Sequence, residues 1–214
     1  MQGNAYVYTK YLAEKCVLKA VEADGLDAKI IRVGNLSSRA RDGEFQMNFR
    51  TNAFINQLRA HAVLGCYPAS AMSDRLDLSY IDETARAVVL LSGTNRSFTV
   101  FHAFNGHTVE MGDIIHVMNA CGIPVACVTD AEFTRRLRKG LGREEINAWL
   151  STLVGYDLDD DDIREEIPVD NRFTVNALYR LGLRWTITDL PLIEKMIVSQ
   201  KTLGFFDCAR QAEN

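Results

Sequence analysis

An α/β fold with a mostly helical second part is what the sequence predicts, and three observations predict it. Residues 6–22 carry a helical period and run into "GLDAKIIRVGN", a turn and then a short β-branched strand entering a glycine. That is the helix-to-strand unit of an α/β protein. "SFTVFHAFN" reads as a further strand. From about Asn105 the texture changes to helical stretches with short connections, so the chain divides into a mixed part, residues 1–104, and a mostly helical part, residues 105–214.

The elements follow in order. "EFQMNFRTNAFINQLRAHAVLG" predicts a helix ending near Gly65. "RLDLSYIDETARAVVLLSG" predicts a short extended piece, then a helix capped by Asp82 and stopped by Gly93. "TVEMGDIIHVMNACG" predicts a short helix, "IPVACVT" a strand, and "DAEFTRRLRKGLG" a helix with Asp130 as its N-cap. After "REEINAWLSTLVG" the acidic run "DLDDDDIREE" reads as a solvated loop or helix start. "TVNALYRLG", the "LRWTITDL" connection and "PLIEKMIVSQKTLGFF" close the chain, and no internal repeat is visible.

Bulk properties narrow the function classes. The 214 residues are 47% hydrophobic and 24% charged, the balance of an ordinary globular chain with enough length to bury a core. A net charge of −4 without a long basic block speaks against nucleic acid. The apolar runs fall short of the roughly 20 residues that span a bilayer. Neither a signal-peptide pattern nor a Cys-x-x-Cys pair is present. The five scattered cysteines, Cys16, Cys66, Cys121, Cys127 and Cys208, read as free thiols of a reducing cytoplasm. The histidines His61, His102, His107 and His116 lack zinc-ligand spacing, so no metal site is expected.

"YVYTKYLAEK" contains Tyr-x-x-x-Lys twice, as Tyr6 with Lys10 and as Tyr11 with Lys15. A helix advances about 100° per residue, so with Tyr6 at zero, Lys10 falls near 40°, Val17 near 20° and Val21 near 60°. Tyr6 and Lys10 therefore extend the apolar stripe that faces the sheet. Tyr11, near 140°, and Lys15, near 180°, share the charged outer side. A free phenol, with a pKa of about 10, gives up its proton reluctantly near neutrality. A neighbouring ammonium favours the phenolate and lowers that value, so the inner pair suits proton donation to a carbonyl oxygen. A snorkelling Lys10 beside a packing Tyr6 is the alternative from the pair alone.

The surrounding residues carry a resemblance. "YVYTKYLAEKCV" resembles the active-site helix of extended short-chain dehydrogenases/reductases. "IIRVGNLSSRARDGEFQMN", "LDLSYIDETARAVVLLS" and "FHAFNGHTVEMGDII" resemble, in order, later segments of the thioester reductase branch. "RWTITDLPLIEKMIVSQKTLGFF" is similar to the tail of reductase domains that end nonribosomal peptide synthetases. Val33 stands where that branch often has proline.

The resemblance implies the C-terminal half of a Rossmann-like parallel sheet followed by a helical subdomain on the substrate and carrier side. It implies Tyr6 as proton donor and Lys10 as the cation that tunes it and holds the nicotinamide ribose. Gly34 and Asn35 would lie beside the nicotinamide, glycine allowing close backbone approach. Arg32 reads equally as a strand-end charge. The reaction implied is NADPH-dependent reduction of an acyl or peptidyl thioester, carried on a phosphopantetheine arm, to an aldehyde or alcohol.

No glycine-rich phosphate-binding turn follows a strand in these residues. The chain therefore reads as a C-terminal fragment, expected to be inactive alone, to bind NADPH poorly and to self-associate through a vacant side. The basic cluster Arg135, Arg136, Arg138, Lys139 and Arg143 suits an acidic carrier protein. Positions three and four apart share a helical face, so Arg135, Arg138 and Lys139 are the expected contact. Two other readings stay open: a nucleotide-sugar epimerase or dehydratase, which shares the Tyr-Lys pair, and a non-catalytic carrier-docking module.

Overall fold

The computed structural model describes residues 5–45, 48–144, 147, 150, 153 and 169–207. The acidic run and Cys208 lie outside the described residues.

Helix α1, Ala5–Asp24, is followed by strand β1, Ile30–Val33. The chain reverses across residues 25–29, with the Leu26 N–H donating to Ala20 O at 3.3 Å. Strand β2, Leu36–Ser37, comes next, then helix α2, Ala53–Leu64. Asn52 caps α2 by accepting from the Ile55 N–H at 3.1 Å. Gly65 ends it at φ +71°, a left-handed setting that glycine adopts without a Cβ penalty. The helix is shorter than the sequence predicts, because Asn52 offers the first orphan N–H groups a side-chain acceptor.

Strands β3 (Cys66–Pro68), β4 (Arg75–Leu76) and β5 (Ser79–Tyr80) lead into helix α3, Ile81–Ser92. Its N-cap is Tyr80, not Asp82. Asp82 sits within the first turn, where its carboxylate accepts from the Ala40 N–H at 3.2 Å and so holds the β2 loop. Strand β6 is Val100–Ala103 and β7 is Val109–Glu110, followed by α4, Met111–Ala120, and β8, Ala126–Val128. Helix α5, Asp130–Leu141, is capped by Thr129, which accepts from the Glu132 N–H at 3.3 Å. Asp130, expected as the cap, instead accepts from Ser70 Oγ at 2.8 Å. Helix α6, Arg172–Arg180, and helix α7, Leu190–Thr202, complete the order, the latter capped by Asp189.

The strands pair β1–β6, β2–β5 and β3–β8 in parallel, with β4–β7 antiparallel. The fold is thus the expected α/β class: parallel strands joined through helices and a helical second part. In the leading pair Ile30 lies opposite Val100 and Val33 opposite Ala103. Alternation along β6 sends Phe101 and Ala103 into a core with Ala87, Leu91, Leu178 and Trp185. His102 points to the other face, toward Arg32.

Among the described residues three apolar clusters form the interior, and each draws on both sides of residue 105. One joins Ile55, Leu58 and Tyr67 to Ile114, Met118, Ile193, Ile197 and Phe205. A second joins Ala60 and Cys66 to Phe133 and Leu137. The third is the core under β6. Among the described residues no helix is long and apolar enough to cross a membrane. No group of three or more His, Cys, Asp or Glu is gathered there to hold a metal ion.

Candidate functional site

Helix α1 carries both Tyr-Lys pairs. Its half-covered positions are Glu14, Val17, Ala20 and Val21. At about 100° per residue these cluster around the direction of Tyr6 and Lys10, not that of Tyr11 and Lys15. Tyr11 is 56% exposed, and the Lys15 ammonium lies over its ring at 5.9 Å from the centroid. The Tyr6 side chain lies outside what the structure describes; the Lys10 side chain is exposed.

A double hydrogen bond ties α1 to the strands. Arg32 of β1 donates from Nε to Glu14 Oε1 at 2.9 Å and from Nη2 to Glu14 Oε2 at 2.5 Å. Its Nη1 lies 3.1 Å from His102 Nε2 on β6. The Arg32 hydrogen bond holds the Glu14 carboxyl below its usual range, and Glu14 raises the guanidinium in return. Arg32 is therefore no idle strand-end charge. The signal was present in the sequence: Glu14 stands four residues after Lys10, on the same helical face.

From Glu14 back to Lys10 is one helical turn, about 6 Å, and back to Tyr6 about 12 Å. From Arg32 forward to Asn35 is about 10 Å of extended chain. Because the chain reverses between helix and strand, the two displacements run the same way. Positions 6 and 10 and the pair Gly34–Asn35 thus gather at one end of the α1–β1 unit.

That end is built on a polar network. A Cβ placed on Gly34 would lie 2.0 Å from Asp77 Oδ2, 2.6 Å from Phe104 Cβ and 2.7 Å from Ser79 Oγ. The space a side chain would need is occupied by the protein itself. Asp77 Oδ2 accepts from the Asn35 N–H at 2.9 Å and from Ser79 Oγ at 2.8 Å, and Oδ1 accepts from Asn35 Nδ2 at 3.1 Å. Ser79 Oγ in turn accepts from the Asn105 N–H at 3.0 Å. The fully buried Asn105 amide donates to Leu78 O at 3.2 Å and Thr186 O at 2.9 Å. Tyr80, whose hydroxyl meets Thr188 Oγ1 at 3.3 Å, has its phenol pushed up to about 12 by burial. Asp77, Ser79 and Asn105 are framework residues beyond the sequence-predicted set; the Asp between two hydrophobic residues and the Asn closing a strand are the signals that mark them in the sequence.

The basic cluster lies on α5. Phe133, Leu137 and Gly140 are buried, which leaves Arg135, Arg138 and Lys139 on the exposed side. Arg135 donates twice to Glu132, at 2.8 Å each, and Arg136 donates to the same carboxylate at 2.6 Å. Arg136 first, then Arg135, hold the Glu132 carboxyl low. Glu132 thus offsets much of the charge of the first two arginines, while Arg138 and Lys139 meet no acid among the described residues. Elsewhere, a groove of about 530 Å³ is lined by Phe98, Phe101 and Phe173 and by no residue of α1, of the Gly34 network or of α5.

Parallel strands crossed by helices, with Tyr-x-x-x-Lys on the helix before β1, are the arrangement that the comparisons with known proteins can be set against. The family described as "NAD dependent epimerase/dehydratase family" matches residues 2–105. Among solved structures, the chain is similar to a thiolation-reductase di-domain from an archaeal non-ribosomal peptide synthetase. Identity there is 34% and the TM-score 0.83, over 96% of this chain and 42% of that one. It is also similar to the terminal R domain of the myxalamid PKS-NRPS pathway, at 22% identity and TM-score 0.80, over 95% of this chain and 51% of that one. The Aureusimine biosynthetic cluster reductase domain matches at 22% identity and TM-score 0.74, over 95% and 52%; these last two likenesses carry the fold. No curated protein matches. The chain is similar to part of the reductase domains of such synthetases, and it spans about half or less of the length of the structures it matches.

Proposed function

We propose that this chain is part of an NADPH-dependent reductase that releases a carrier-bound acyl or peptidyl thioester as an aldehyde. The observation that supports this most is the 34% identity, over 96% of the chain, to a reductase joined to a thiolation domain. A nicotinamide cofactor would supply a hydride to the thioester carbonyl carbon. The fit is partial. Lys10, exposed at the Gly34 end of the α1–β1 unit, suits the ribose. Gly34 adds no cradle, since its side is filled by Asp77, Ser79 and Phe104. The sequence holds no glycine-rich turn for the pyrophosphate.

On this reading Tyr6 gives its phenolic proton to the carbonyl oxygen as the carbon is reduced, with Lys10 stabilising the phenolate that remains. The resulting hemithioacetal collapses, breaking its C–S bond, to release the aldehyde and the carrier's thiol. Asp77, Ser79 and Asn105 keep the Gly34–Asn35 backbone in place beneath the reacting end. Arg135, Arg138 and Lys139 meet the acidic carrier.

The test supplies the whole reductase polypeptide with NADPH and an acyl thioester on its carrier, and reads products by mass spectrometry. Aldehyde, with one NADPH consumed per aldehyde, is the expected result. Turnover of a nucleotide sugar with no thioester reduction would favour the epimerase reading. Carrier binding with neither reaction would leave a docking module.

A further inference from the structure

We propose that Arg32 is a positioning residue, whose fork onto Glu14 sets where α1, and with it the Tyr6–Lys10 segment, stands along and around β1. The inference rests on the Tyr6–Lys10 reading above. Three observations carry it.

First, within the described residues of this chain α1 has little apolar grip on the strands. Val7, Tyr8, Tyr11, Leu12 and Leu18 are 40–60% exposed, and its half-covered apolar positions are the small side chains of Val17, Ala20 and Val21. Small, smooth contacts resist sliding and rolling weakly, since no large knob enters a hole.

Second, the Glu14–Arg32 contact is bidentate, at 2.9 and 2.5 Å. Two parallel bonds between planar groups fix direction as well as distance, which a single ammonium contact does not. The guanidinium is braced on its other side by His102 Nε2 at 3.1 Å, so three elements meet on one side chain. Among the described residues, the charged and titratable groups that meet Arg32 are Glu14 from α1 and His102 from β6. His102 in turn influences Asp170, the residue leading into α6.

Third, Glu14 lies one turn from Lys10 and two from Tyr6. A helix slipped by one residue moves about 1.5 Å and turns about 100°, which would carry both away from the Gly34 end. Misplacement by about 1 Å is enough to cost roughly 100-fold in rate.

The experiment uses the whole reductase polypeptide, with Tyr6→Phe as the control, and measures thioester reduction at a temperature where circular dichroism shows every variant folded. Arg32→Gln is expected to lower kcat about tenfold or more. KM for NADPH should rise by a smaller factor than kcat falls, since displacing α1 loosens only the ribose contact assigned to Lys10. The solvent deuterium isotope effect on kcat should rise, since proton transfer from a displaced donor becomes limiting; a loss of stability alone would not move it. Arg32→Lys should recover part of the rate. If Arg32→Gln does not fold, Glu14→Gln removes the same fork from the helix side with the same expectations.

An unchanged kcat and isotope effect, with Tyr6→Phe inactive, overturns the positioning role and leaves the Tyr6–Lys10 reading standing. A raised KM for NADPH with kcat intact makes Arg32 a cofactor ligand and also overturns it. Full activity in Tyr6→Phe removes the reading on which the proposal rests.

Discussion

Helices α1 and α7 do opposite jobs with opposite chemistry. Helix α7 buries Ile193, Met196, Ile197 and Gln200 against α4 and the first apolar cluster. Helix α1 leaves most of its length exposed and is tied to the strands by the charged fork of Glu14 and Arg32. Apolar burial is strong but non-directional; a bidentate ion pair is weaker but directional. Stability therefore resides with α7 and α4, and orientation with α1 and the polar network around Gly34.

The contrast is sharpest in large-to-small substitutions. Ile197 is fully buried, and Ile197→Ala should cost about 2–5 kcal/mol of unfolding free energy. Leu18 on α1 is 41% exposed, and Leu18→Ala should stay within about 0.5 kcal/mol. Urea titrations of the two decide this; a similar cost for both would break the contrast.

His61 tests the buried side through pH. It lies 8% exposed on α2, with Nδ1 3.2 Å from Cys66 O and its ring 4.5 Å from that of Tyr67. Burial lowers its pKa from 6.5 to about 4. The unfolded chain takes up this proton first, so acid favours unfolding. The contribution is complete above about pH 6.5 and is lost as pH falls toward 4. Roughly 3 kcal/mol should go across that window. Denaturation measured across it should show the loss in the natural sequence, and His61→Phe should flatten that slope.

In the polar region, Gly34→Ala must drive a methyl into Asp77, Ser79 and Phe104. Overpacking of this kind costs about 1–3 kcal/mol or more. The expected loss of thermal stability should be accompanied by a weaker β2–β5 pairing, readable by amide exchange at Ser79, whose N–H donates to Asn35 O at 2.9 Å. Normal stability would mean that the glycine is not required by packing.

The smallest effect is expected on the α5 surface. Charge reversal at Arg135, Arg138 and Lys139 should raise KM for a carrier-bound thioester and spare a carrier-free mimic. The difference should shrink with salt, as exposed charges are screened beyond roughly 10 Å at 0.1 M ionic strength. Arg135 should contribute least, because Glu132 already holds it.

Local patterns made much of the fold legible. The period of residues 6–22, the β-branched run before Gly34 and the glycines at 65 and 93 each act within a few residues, and the elements fall where they point. Caps were harder to read. Asp82 and Asp130 are acids near helix starts, yet their carboxylates serve Ala40 and Ser70, more than 40 residues away in the chain. The same limit hid the site's framework. Asp77 reaching Asn35, and Asn105 reaching Thr186, join segments that no sequence period connects. Glu14 was visible as a face-mate of Lys10, but its partner became apparent only once β1 folded back along α1.

The central claim is that the inner pair, Tyr6 with Lys10, and not the outer pair, carries the proton chemistry. Single-turnover hydride transfer in the whole reductase polypeptide, compared for Tyr6→Phe and Tyr11→Phe, tests it most directly. The account predicts that Tyr6→Phe loses at least about 100-fold in rate with NADPH binding nearly intact, a general-acid contribution of ordinary size. Tyr11→Phe should react at the natural rate, since that ring is 56% exposed beside Lys15 on the outer side of α1. An inactive Tyr11→Phe with an active Tyr6→Phe would contradict the account.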